Sequence, residues 1–184
     1  PYEGVDSVFN FSQKFRVYDD VFKYGAPTSK IEALYADRDN HFGQTPKQNG
    51  AGHAPRDILV NFIDNHDIPR FLYDNPSVPA LKNALIFLMT QDGIPTVYYG
   101  TEQAFEGGND PANREPLWWS GFGKDGDLYV HIATLNKLRA AYEPLRRGDI
   151  QVRWATERVD DESDAGIFAF ERSTPDATVL VVLN

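Results

Sequence analysis

The chain has 184 residues, a formal net charge of −9 and no cysteine. An acidic balance without a basic run speaks against nucleic acid as a partner, and the lack of cysteine removes disulfides, thiolate nucleophiles and zinc–thiolate sites. No apolar run reaches the ~20 residues that span a bilayer, and Pro1-Tyr2-Glu3-Gly4 has neither the basic nor the apolar region of a signal peptide, so no membrane or targeting segment is expected.

In chain order, residues 5–11 read as a short strand and 29–39 as a helix. Residues 42–56, rich in Gly, Pro, Asn and Gln, read as a long surface loop. Residues 57–63 form a second strand, apolar on both faces from Ile58 to Ile63 as a parallel strand covered on both sides requires. In 78–90, Leu81, Leu85, Leu88 and Met89 fall at helical spacing, with Pro79 near the start and Asp92-Gly93 as the stop. Residues 94–99 form a third strand, completing the rhythm of a parallel α/β fold. Leu128, Ile132, Leu135, Leu138, Tyr142 and Leu145 trace one face of a final helix that ends at Arg146-Arg147-Gly148, its cations suited to the helix dipole. The pattern then changes: 150–155, 166–172 and 178–183 are short β runs, so an all-β module begins near residue 149. Three strands cannot close a barrel of eight. The fold class expected is therefore α/β, part of a (β/α)8 barrel over residues 1–148, followed by the beginning of a β-sandwich over 149–184.

The sequence Asp-Ile-Leu-Val-Asn-Phe-Ile-Asp-Asn-His-Asp, residues 57–67, carries the chemistry. Its apolar strand stops abruptly at Asp64, Asn65, His66 and Asp67, and parallel barrels keep their reactive groups at strand C-terminal ends. Asp67 is the residue to explain; the plain alternative is a solvated loop leading to the next helix. Asn65 is expected to shape the turn.

Residues 62–71, 93–103 and 107–115 together closely resemble the α-amylase family of glycoside hydrolases, especially the secreted fungal-type α-amylases, with cyclodextrin glucanotransferases as near relatives. The resemblance runs over nearly the whole chain and implies the sixth, seventh and eighth barrel strands, the eighth helix and the β-rich C-terminal domain. It implies that Asp67 is the third catalytic carboxylate, which holds sugar hydroxyls and stabilises an oxocarbenium-like transition state. His66 would bond a hydroxyl in the cleavage subsite, and Asp110 with Arg114 would grip sugars further along; the alternatives are a core imidazole and a loop salt bridge. Arg70 is expected to make a structural ion pair beneath the site and Glu102 a scaffold hydrogen bond. Of Trp118 and Trp119, at least one is expected to anchor the core, and neither is assigned to the site. The implied substrates are starch and maltooligosaccharides, the implied location is extracellular, and hydrolysis is preferred over glucanotransfer.

Retaining glycoside hydrolysis needs a nucleophile and an acid/base carboxylate roughly 5–5.5 Å apart. The family supplies both from its fourth and fifth strands, upstream of Pro1. Arg158-Val159-Asp160 echoes the nucleophile motif, but it lies in an acidic run with no apolar strand before it, and Glu3 belongs to a connection. The chain alone is therefore expected to be inactive. The resemblance carries no calcium ligand onto any position here, so no metal residue or cofactor is expected in this chain, with Ca2+ possible for the intact protein. Two competitors stand beside this reading. A metallophosphoesterase would use Asn65-His66 with Asp39 and His41, but the remaining ligands of such a site are missing. A saccharide-binding module would keep the sugar contacts without turnover.

Overall fold

The computed structural model describes residues 5–184. Its parallel group has three members. Strand β1, Val60–Phe62, pairs with β2, Ile94–Thr96, in the register Val60↔Ile94 to Phe62↔Thr96. On the other side of β1, Phe9 forms a single parallel bridge to Val60, with Asn10 N donating to Val60 O (2.9 Å) and Val60 N to Val8 O (3.0 Å). The strand expected over 5–11 is thus reduced to one bridge. The reason is local: Asn10 caps a helix at once, its Oδ1 accepting from Gln13 N at 3.2 Å.

That helix, α1 at Phe11–Gln13, runs into a π segment at Lys14–Lys23, where Tyr24 N donates to Asp19 O five residues back. The segment has no counterpart in the sequence reading. Its inward face includes the lysines at both of its ends, which break the apolar stripe; Lys14 is paired with Asp19 and Lys23 with Asp74. Helix α2, Ser29–His41, runs two residues past its expected end.

Both barrel strands are shorter than expected. Residues 55–58 form a 3-10 turn, so β1 starts at Val60. The third strand stops at Thr96, and beyond it Tyr99 O accepts from the Arg70 guanidinium, 2.6 Å from Nη1. Helix α3, Val78–Thr90, matches its expected span, with Ser77 Oγ accepting from Ala80 N at 3.3 Å. The last helix is two, α4 at Asp127–Ala141 and α5 at Glu143–Arg147; Pro144 cannot donate to a continuing helix and opens a new turn instead. Among the described residues no helix is long and apolar enough to cross a membrane.

Strands β3 (Asp149–Trp154), β4 (Phe168–Ser173) and β5 (Thr178–Leu183) form an antiparallel sheet in that order. It lies against α3: the Phe87 ring centre is 5.9 Å from that of Phe168 and 5.7 Å from that of Phe170, all three fully buried. One core therefore runs from the π segment through α3 into the sheet. Arg172 of β4, also buried, donates to the carbonyls of Thr90 (2.7 Å), Leu145 (3.1 Å) and Gly148 (2.7 Å), the unsatisfied ends of α3 and α5. Arg139 serves the same region through Met89 O and Leu145 O, and burial, with the Arg172 charge nearby, pushes its pKa down to about 10.

A seam of buried amides crosses the foot of the parallel group. Asn61, in the middle of β1, accepts from Asn10 Nδ2 at 3.0 Å and donates to Asp92 O at 2.9 Å. Asn10 continues to Gln13, which meets Gln91 and the Tyr18 hydroxyl.

Candidate active site

Beyond Phe62, the end of β1 is pinned by a buried carboxylate. Asp64 accepts from Phe71 N at 3.2 Å and from Thr101 Oγ1 at 3.0 Å; burial pushes its pKa up, against the pull of the Arg70 charge. Asn65 then shapes the turn as expected, its Oδ1 accepting from Asp67 N at 2.8 Å. The turn lifts the next two side chains out of the core. His66 and Asp67 stand 57% and 58% exposed, with Nε2 and Oδ1 3.3 Å apart, so His66 is no core imidazole. A broad cleft lined by residues 5–8 and the loop before β1 lies beside Leu59, at the end of β1 remote from Asp67.

Beneath the pair lies Arg70, with no exposed surface. Its Nε donates to Glu115 Oε2 at 3.2 Å, and its guanidinium sits 4.1 Å from the centre of the Tyr98 ring. This is the expected structural ion pair, strengthened by aromatic faces. The other Glu115 oxygen accepts from the backbone of Glu106 (3.1 Å) and Gly107 (2.6 Å), while Gly107 O accepts from Arg70 N at 3.0 Å. Only glycine fits there, because a Cβ on Gly107 would stand 1.9 Å from Ala112 O.

This packing brings the 107–115 loop against the 65–70 loop. Asp110 and Arg114 form an ion pair at 2.8 Å with both side chains about half exposed, and Arg114 Nη2 reaches His66 O at 3.4 Å. The four residues singled out in the sequence therefore converge on one surface. Asn113, which the sequence reading passed over, is fully buried among them, with Nδ2 2.8 Å from Ile68 O, 3.0 Å from His66 O and 3.4 Å from Asn65 O. Its only signal was its place beside Arg114 in a motif already matched.

Other expectations divide. Glu102 Oε2 accepts from Gly100 N at 2.8 Å, a scaffold bond. The tryptophan expectation is corrected: Trp118 and Trp119 are 68% and 72% exposed, because the turn Leu117–Ser120 buries part of Leu117 instead. Arg158-Val159-Asp160 is a surface turn in which Arg158 pairs with Asp164 at 2.7 Å. The metallophosphoesterase pair does not assemble: Asp39 pairs with Arg56 and His41 with Asp37 on its own helix. Among the described residues no three His, Asp or Glu side chains converge as a metal-ligand set.

No family model matches the chain. It is 34% identical to the beta/alpha-amylase of Paenibacillus polymyxa over 98% of its own length and 14% of that protein. The chain belongs to the α-amylase family. Alpha-amylase 1 of Schwanniomyces occidentalis is 48% identical over 45% of this chain and 16% of that protein, and cyclomaltodextrin glucanotransferases are also among the relatives. Among solved structures, an Anoxybacillus α-amylase superposes with a TM-score of 0.77 at 28% identity, covering 98% of this chain and 36% of that one. The Geobacillus thermoleovorans α-amylase, solved with acarbose, gives 0.75 at 25% identity over 98% of this chain and 37% of that one. The matched stretches thus cover only 14% and 16% of the length of these two curated relatives. In the α-amylase barrel the Phe9 segment, β1 and β2 stand as the sixth, seventh and eighth strands, with β3–β5 opening the β-rich part.

Proposed function

We propose that the whole protein is an endo-acting α-1,4-glucan hydrolase of retaining mechanism, acting on starch and maltooligosaccharides outside the cell. The observation that carries this is the exposed His66–Asp67 pair at the C-terminal end of a barrel strand, with Asp110–Arg114 beside it. The Asp67 carboxylate faces the positive charge that develops on the sugar in the transition state, and an ion already oriented there stabilises that state more than the ground state. His66 donates to a hydroxyl of the same sugar, and Asp110 with Arg114 bonds the next sugars of the chain. The nucleophile and acid/base come from outside these residues, so the 184-residue chain by itself turns nothing over. The catalytic portion ends at residue 148 and the β-sandwich begins at 149. Calcium is a candidate ligand of the intact protein, and among the described residues no three His, Asp or Glu side chains converge on a site for it. Glucanotransfer is the second reading, supported by transferases among the relatives.

The test is Asp67→Asn in the full-length protein. Loss of an electrostatic stabiliser should lower kcat by at least about 10²–10³-fold, with the initial product in the anomeric form of the substrate. Undiminished starch cleavage by the variant, or reducing-sugar release by the purified 184-residue chain, would overturn the reading; cyclic products would favour transfer.

A further inference from the structure

We propose that Asn113 is a positioning residue for Asp67 and His66, the central tooth of a three-residue clamp on the turn that carries them. The proposal rests on the reading of Asp67 as a substrate-facing carboxylate. Residues 113–115 all take hold of the 65–70 loop: Asn113 the carbonyls of Asn65, His66 and Ile68, Arg114 the carbonyl of His66 as well, and Glu115 the Arg70 side chain. The peptide unit joining His66 to Asp67 is consequently held at both ends. Its carbonyl accepts from Asn113 Nδ2 at 3.0 Å and its N–H donates to Asn65 Oδ1 at 2.8 Å. With the Ile68 carbonyl also fixed, the backbone on both sides of Asp67 is set, and only its side-chain torsions remain free to meet the sugar.

The chemistry of the amide suits this task. A neutral NH2 offers two hydrogens, which the three carbonyls share. Asn113 Oδ1, buried, accepts no hydrogen bond from the described residues, so the side chain is held through its donor face alone. A carboxylate of the same shape would set negative charge against three carbonyl oxygens, and alanine would take the amide donor from all three, leaving His66 O only the longer contact from Arg114. The clamp also explains why one exposed carboxylate can keep its place: its own side chain is more than half in water, so its position is inherited from the backbone below.

The experiment is a double-mutant cycle in the full-length protein, assayed on an aryl maltooligosaccharide whose good leaving group keeps weak variants measurable. Asn113→Ala should lower kcat on the order of 10²-fold, the loss expected for a displacement near 1 Å, with a smaller change in KM. In the Asp67→Asn background it should cost much less, because only its effect through His66 remains. Amide exchange at residues 66–68 of Asn113→Ala, followed in parallel, should accelerate while the rest of the chain keeps its protection. If alanine lowers the melting temperature below the assay temperature, Asn113→Ser is carried through the same measurements. An equal loss in both backgrounds, or unchanged kcat and exchange, overturns the proposal. If Asp67→Asn retains full activity, the catalytic reading falls, and the exchange arm still decides whether Asn113 holds the turn.

Discussion

Arg70 and Glu115 share a hydrogen bond of 3.2 Å in which the arginine has no exposed surface and the glutamate's second oxygen holds the backbone of residues 106 and 107. The pair joins the loop carrying Asp67 to the loop carrying Asp110. Neither loop belongs to a helix or strand, so this contact does for them what ladder bonds do for a sheet.

Arg70→Ala strands a partly buried carboxylate, and breaking such a pair costs about 3–5 kcal/mol. Arg70→Lys should recover little, because an ammonium cannot serve Glu115 and the Tyr99 carbonyl together while lying flat on the Tyr98 ring. Urea denaturation of both variants checks this; a lysine variant as stable as the parent would show that charge alone suffices.

Gly107→Ala introduces a methyl into the space of the Ala112 carbonyl. The loop has to move, at a cost of about 1–3 kcal/mol for the overpacking, and both Glu115 bonds to the 106–107 backbone weaken with it. Thermal melting measures the loss, and hydrogen exchange at residues 106–115 locates it.

Asp64 gives the molecule a pH dependence of unusual sign. Burial raises its native pKa above the roughly 3.9 of an unfolded aspartate. Between those two values the native state holds more protons than the unfolded chain, so this group's contribution to stability falls as pH rises through that window and is constant above it. Asp64→Asn, uncharged at every pH, should remove that decline. Urea midpoints of parent and variant compared from about pH 3.5 upward should diverge through the window; parallel curves would assign the slope to other groups.

Phe87→Ala should cost about 3–5 kcal/mol as a buried aromatic lost from a packed core. Because Phe87 meets both Phe168 and Phe170, exchange in β3–β5 should rise more than exchange in β1 and β2. A uniform rise would mean that the sheet is not held chiefly through this ring.

The sequence spelled out α3 and the antiparallel strands because their signals are local: a cap, a proline and a leucine period for the helix, and short β-type runs between turns for the sheet. Residues 5–11 misled because Val8, Phe9 and Phe11 suit a strand as well as a helix entrance, and the Asn10 cap decides between them. The π segment was illegible because lysines are buried in it, tolerable only through Asp19 and Asp74. At the site, Asn65, His66 and Asp67 stand out where an apolar run stops, and Asp110 and Arg114 lie within reach of each other at a spacing of four. Asn113 gave no such signal. Its function depends on how two distant loops meet, and a single amide in a polar segment does not announce that.

The amide seam has a consequence for how the barrel strands find their alignment. A parallel strand of three residues with apolar groups on both faces would slide by one position with little penalty, but β1 is Val60-Asn61-Phe62. Asn61 removes that freedom. One step either way would carry its carboxamide from Asn10 and the Asp92 carbonyl into apolar surroundings, and put Val60 or Phe62 against polar partners. The seam thus works as an alignment key, and the position of Asp67 six residues further on is set by counting from it.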